Sequence, residues 1–94
     1  MAEQLHALLG AFKPRMRVFH DMEDYNLSFM LKSSEEALNS LLGVDMMSSD
    51  AGKELIMERA RYVYNDSLDL FYDNFKNEIA RMALTTYKEE DSEG

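Results

Sequence analysis

The spacing of the apolar residues limits the possible folds of this chain more than any other feature. They recur three or four positions apart through most of the sequence, and Leu5, Leu8, Leu9 and Phe12 are the first example. This spacing puts apolar side chains on one face of an α-helix, whereas a half-buried strand needs strict alternation. The sequence therefore predicts an all-α protein, a small bundle of three to four helices.

Length and composition agree with one helical domain. A chain of 94 residues supports one modest core, and its four glycines and one proline are few for an all-β protein. The absence of cysteine excludes disulfides and thiolate metal sites. No apolar run reaches the roughly 18–20 residues that span a bilayer, so we expect no membrane partner. We place the domain at residues 1–87 and predict a disordered acidic tail at 88–94, which has no apolar residue.

The first two helices have recognisable ends. The first begins at Ala2 and ends near Phe12 because Pro14 disfavours helix there, or it kinks and resumes to residue 18. The second follows Asp21 as N-cap and ends at Gly43, a residue that favours the left-handed C-terminal stop. We expect this helix, residues 22–42, to bury a broad apolar face, with Met30, Leu31 and Ala37 near its edges. The face consists of Met22, Tyr25, Phe29, Leu38, Leu41 and Leu42.

The third apolar segment predicts a long helix that starts at a Ser49 or Asp50 cap and continues to Leu84. Short polar side chains compete for backbone hydrogen bonds at two places, residues 65–67 and residues 73–74. We expect a break or bend at one of them.

Catalytic and metal-binding patterns are weak. His20, Asp21, Glu23 and Asp24 gather an imidazole and three carboxylates, but no second cluster completes a metal site, so a helix start explains them better. The sequence has no glycine-flanked nucleophile and no glycine-rich phosphate loop. We therefore expect neither an enzyme nor a cofactor or metal.

Charge is distributed unevenly. The net charge is −8, yet residues 1–20 carry +2, because Lys13, Arg15 and Arg17 outweigh Glu3. This acidic charge argues against tight, non-specific binding of nucleic acid, which requires dense positive charge. A positive end on an acidic body suits head-to-tail association between copies, and such association closes a ring if the rotation allows it.

A nine-residue motif then carries a family resemblance. The motif covers residues 58–66, and seven of its nine residues are distinctive: Glu58, Arg59, Arg61, Tyr62, Tyr64, Asn65 and Asp66. Together with Phe71 and Asn74-Phe75, and with the order of segments over residues 5–84, it resembles the small head–tail connector proteins of tailed bacteriophages. These are often labelled DNA-packaging proteins.

The resemblance implies a structural role without catalysis. About a dozen copies would form a ring under the portal protein, extend the DNA channel and provide a docking surface for the stopper or tail-completion protein. Genomic DNA would pass through without sequence-specific binding. The protein would reside at the head–tail interface of the virion, after assembly in the host cytoplasm. The motif would be mainly structural, and subunit or portal contacts would involve Lys13, Arg15, Arg17, Phe75, Ile79 and Met82.

Two other functions remain open from the sequence. A small acidic protein could mimic DNA and inhibit a nucleic-acid-binding host protein, which requires carboxylates aligned on one exposed face. The chain could also be a plain helical oligomerisation module of a regulator.

Overall fold

The computed structural model describes residues 5–93, with side chains from residue 5 to residue 85. This part of the chain is helical and contains no strand, which confirms the all-α prediction. The helices are α1 Leu9–Met16, α2 Asp24–Leu42, α3 Asp50–Tyr64, α4 Leu68–Asn74 and α5 Lys76–Glu93, with a 3₁₀ turn at Met46–Ser48. α5 extends to Glu93, beyond the expected helix end at Leu84 and through most of the segment 88–94, whose disorder stays a prediction.

The third predicted helix is interrupted at both candidate positions rather than at one, so five helices replace the expected three to four. After α3, Asp66 takes the left-handed conformation with φ 57°. The amide of Ser67 then donates to the carbonyl of Tyr62 at 2.8 Å, which closes the helix end. At the second break, Phe75 leaves helical geometry with φ −111° and ψ 14°, and α5 begins at the next residue.

α1 passes through Pro14, so the helix does not stop near Phe12, but it ends at Met16 rather than at the expected residue 18. The helix begins at Leu9 rather than near the chain start, while predicted helical residues 2–4 lie outside the described part. His6 fixes this start, because its ring Nδ1 accepts a hydrogen bond from the Leu8 amide at 3.0 Å. Arg17 ends the helix in the left-handed conformation with φ 58°.

α2 ends as predicted, with Gly43 at φ 70°. Its start differs: the helix begins at Asp24, the N-cap position is Glu23, and no side chain caps it. Asp21 is therefore not the N-cap. Residues 21–23 form a turn ahead of the helix, and the carboxylate of Asp21 binds Lys13.

The buried face of α2 is not the predicted one. Leu27, Leu31 and Leu38 are fully buried, whereas Tyr25 and Phe29 are exposed. With about 100° per residue, Leu31 lies about 200° around the helix from Phe29, so the two cannot share a face. Met22 and Leu41 are exposed as well, and of the six predicted residues Leu38 and Leu42 are buried.

The core lies between α2 and α3 and is closed by α1 and α4. Its largest fully buried apolar side chains are Phe12, Leu27, Leu31, Leu38, Met46, Ile56 and Phe71. Ser49 caps α3 as predicted, because its hydroxyl accepts from the Gly52 amide at 3.0 Å.

Candidate contact surfaces

Lys13, the first cation of the predicted contact cluster, is already paired within the chain. Its ammonium lies 2.7 Å from a carboxylate oxygen of Asp24 and 3.0 Å from one of Asp21. These hydrogen bonds, with that of Asp24 the stronger, raise the pKa of Lys13 above its ordinary value. Lys13 thus ties the end of α1 to the start of α2.

Arg15 is paired in the same way with α3. Its guanidinium donates to Glu54 at 2.9 Å and to Glu58 at 3.0 Å, and Glu58 also accepts from Arg61 at 2.7 Å. Partial burial raises the pKa of Glu58, but hydrogen bonds and charges from both arginines outweigh it, and the net shift is downward. The hydrogen bond to Glu54 raises the pKa of Arg15.

Arg17 differs from its two neighbours. It is exposed, and among the described side chains it has no ion-pair partner. A basic cluster that looks like one patch in the sequence is therefore divided in the fold. Lys13 and Arg15 hold α1 in place, whereas Arg17 projects its charge into solvent.

The predicted apolar contacts at the C-terminal side are half-buried rather than free. Phe75 stacks on Phe71 with ring centroids 5.0 Å apart and meets Tyr62 edge to face at 6.0 Å. Ile79 and Met82, on α5, also pack in part against the core. Met82 in addition lines an open groove, so a portion of it faces outward.

The nine-residue motif makes contacts that hold the helices together. Arg59 donates to the hydroxyl of Tyr72 at 3.0 Å and to the buried hydroxyl of Ser34 at 3.1 Å, which joins α3 to α4 and α2. Tyr62 accepts from Asn74 at 3.0 Å. Tyr64 donates to Glu23 at the start of α2, and Glu58 binds Arg15 of α1 as well as Arg61. The last two members act locally: Asn65 caps α3, and Asp66 makes the left-handed turn.

An exposed apolar strip occupies the start of α2 and the segment before it. It comprises Phe19, Met22, Tyr25 and Phe29, which are 80%, 87%, 58% and 69% exposed. Tyr25 and Phe29, four residues apart, lie on one side of α2, and Phe19 and Met22 lie in the non-helical segment before it. Sequence reasoning assigned three of these residues to the core, although a count of 100° per residue would have separated them from Leu31 and Leu38.

A groove of about 410 Å³ lies near the other end of α2. We call it the α3–α5 groove. One wall is formed by the 3₁₀ turn and the start of α3, and the other wall is formed by α5. Apolar side chains contribute much of its wall: Val44, Met46, Ala51 and Met82. Asp45, Glu78 and Arg81 add charge at the same place.

Within the described part of the chain, no group of three or more histidine or acidic side chains is placed to hold a metal ion. Over the same residues, no helix is both long and apolar enough to cross a membrane. Comparison with protein-family models, with curated proteins and with solved structures finds no match to this chain.

Proposed function

We propose that this protein is a structural head–tail connector, or adaptor, of a tailed bacteriophage. It assembles as a ring of about a dozen copies under the portal, extends the DNA channel, and offers a docking surface to the stopper or tail-completion protein. The resemblance carried by residues 58–66 supports this role, and the all-helical fold agrees with it. The role requires no catalytic residue and no cofactor.

The observation that carries the proposal is the exposed apolar strip. Four large apolar side chains stay in water although the chain has its own complete core. Burying such a side chain contributes about 1.5–3 kcal/mol, and clustered exposed apolar residues mark sites of protein association. A protein that acts through assembly has a use for this surface.

The net charge of −8 suits the passage of DNA. Phosphates are repelled by an acidic wall, so a ring built from this chain lets DNA slide without binding it. The protein would then contact DNA in the virion without reading its sequence.

Native mass spectrometry of the purified protein, alone and mixed with the portal protein of the same phage genome, tests the proposal. We expect an oligomer of about a dozen copies, either free or on the portal, visible as a ring by electron microscopy. A protein that stays a single copy under both conditions would rule out the connector role.

The alternative, an acidic DNA-mimic inhibitor, has less support. Asp21, Asp24, Glu54 and Glu58 already bind cations of the same chain, so they offer weakened negative potential to a basic partner. This alternative predicts a tight one-to-one complex with a basic nucleic-acid-binding protein.

A further inference from the structure

We propose that copies of this chain associate head to tail, with the apolar strip of one copy inserted into the α3–α5 groove of the next. The occupant of the groove is therefore a second copy of the same protein, anchored by Phe19. This inference rests on the proposed function in one respect, namely that the protein self-assembles.

The two surfaces lie at opposite ends of α2. Phe19 and Met22 precede the first residue of the helix, and Val44 and Met46 follow its last residue. A helix of 19 residues is about 28 Å long, so the strip cannot reach the groove of its own chain. Contact between them requires two molecules.

The groove is partly apolar and large enough for an aromatic side chain. The groove of about 410 Å³ has room for an aromatic ring, and Met46 and Met82 in its wall belong to the side chain type that adapts best to an inserted group. Phe19 is among the most exposed apolar residues of the chain and precedes α2 in a non-helical segment, so it can enter a groove as a projecting side chain.

Charge supports the same pairing. Arg17 is two residues before Phe19 and has no ion-pair partner among the described side chains. The groove bears Asp45 and Glu78 against Arg81, a net charge of −1. With Phe19 in the groove, Arg17 lies at its rim and pairs with the exposed Glu78. The electrostatic attraction lies in this one pair, because the other charges beside the strip are the acids Asp21, Glu23 and Asp24, two of which bind Lys13.

A contact between two different surfaces has a clear consequence. Each copy keeps one unused surface after binding, so association continues until a ring closes or a filament forms. Strip-to-strip contact would instead stop at a symmetric dimer. The two arrangements therefore differ in the species that blocked variants can form.

Two variants with one blocked surface each provide the test. Phe19→Ala removes the anchor, and Ala51→Arg fills the groove with bulk and positive charge at an exposed position. Leu70→Ala is the matched control, because Leu70 is a half-exposed apolar residue of α4 that belongs to neither surface. Circular dichroism confirms folding of each, and sedimentation equilibrium measures association, with portal protein added if the wild type requires it.

We expect each blocked variant to raise the dissociation constant for self-association about 30-fold or more, as loss of an interface anchor does. The control should assemble like the wild type. An equimolar mixture of the two blocked variants should form a heterodimer and stop there, since it retains one intact strip and one intact groove. Assembly of Phe19→Ala at wild-type strength, or homodimers of Ala51→Arg, would overturn the proposal.

A charge exchange keeps the proposal falsifiable if a single variant is damaged. Arg17→Glu and Glu78→Arg should each weaken association, and the double variant should restore it at least in part. No recovery would overturn the Arg17–Glu78 pairing. If the wild type assembles but all variants do too, the head-to-tail contact is wrong while the connector function stands. If the wild type never assembles, both fail.

Discussion

Replacing Gly52 by alanine is the sharpest test of the packing at the start of α3. Glycine is a poor helix former, and Gly→Ala inside a helix is ordinarily stabilising by up to about 1 kcal/mol. At Gly52 the opposite should hold. A Cβ atom built there would collide with the backbone carbonyl of Met46, in the 3₁₀ turn that precedes the helix.

The size of the effect depends on whether the turn can move. Met46 is fully buried, and its amide donates to the side chain of Asn39 at 2.7 Å, so the turn is held on α2. The atom in the way is backbone rather than the end of a flexible side chain. Overpacking of this kind costs about 1–3 kcal/mol net. For a domain of this size, that lowers the melting temperature by roughly 5–20 °C.

Urea unfolding followed by circular dichroism measures the change, and Gly10→Ala is its matched control. Gly10 lies in α1 and is exposed, and a Cβ atom added there would have no neighbour within 4 Å. Alanine at this position should therefore leave stability unchanged or raise it by up to about 1 kcal/mol. Opposite signs at the two glycines are the expected result. A Gly52→Ala protein as stable as the wild type would refute the close approach of α3 to the turn.

Three further predictions concern stability and are checked by the same unfolding experiment. Arg59→Ala should cost about 1–3 kcal/mol, because it leaves the buried hydroxyl of Ser34 without its partner. Glu58→Gln should lower the free energy of unfolding by about 0.5–1 kcal/mol at pH 7. Folding lowers the pKa of Glu58, so the wild type has this advantage above the ordinary carboxyl pKa range and loses it as the pH falls through the lowered pKa. Phe29→Ser should change stability by less than about 0.5 kcal/mol, whereas Leu31→Ala should cost about 2–5 kcal/mol; equal losses would contradict the orientation of α2.

Features that depend on local chemistry could be predicted from the sequence. Gly43 ends α2 because its backbone adopts a left-handed conformation easily, and Ser49 starts α3 because its hydroxyl reaches the third amide ahead. The sequence also predicts a weak helix at residues 65–67 and 73–74, because short polar side chains there compete for backbone hydrogen bonds. That both positions break depends on packing, since Phe71 in the short helix between them is fully buried in the core.

Features that depend on distant residues could not be predicted. Asp21 is a good N-cap by residue type, but Lys13 binds its carboxylate from another helix. The basic cluster looked like one contact patch because the sequence does not reveal that Glu54 and Glu58 lie beside Arg15. The apparent number of free charges in a sequence is therefore an upper bound on the number that the folded chain can offer to a partner.

α2 also explains why its apolar residues were misread. It has one apolar stripe through Leu27, Leu31 and Leu38 and another through Tyr25 and Phe29 on the opposite side. A helix on the surface of an isolated small domain needs one such stripe, because its other side faces water. When both sides are apolar, periodicity indicates a helix but does not say which stripe the same chain buries. The buried stripe here consists of leucines, which fill a close-packed core, and the exposed one contains aromatic residues, which are enriched where proteins meet. The second stripe is thus the part of this sequence that the fold of one chain does not account for, and the proposed contact with a second copy would account for it.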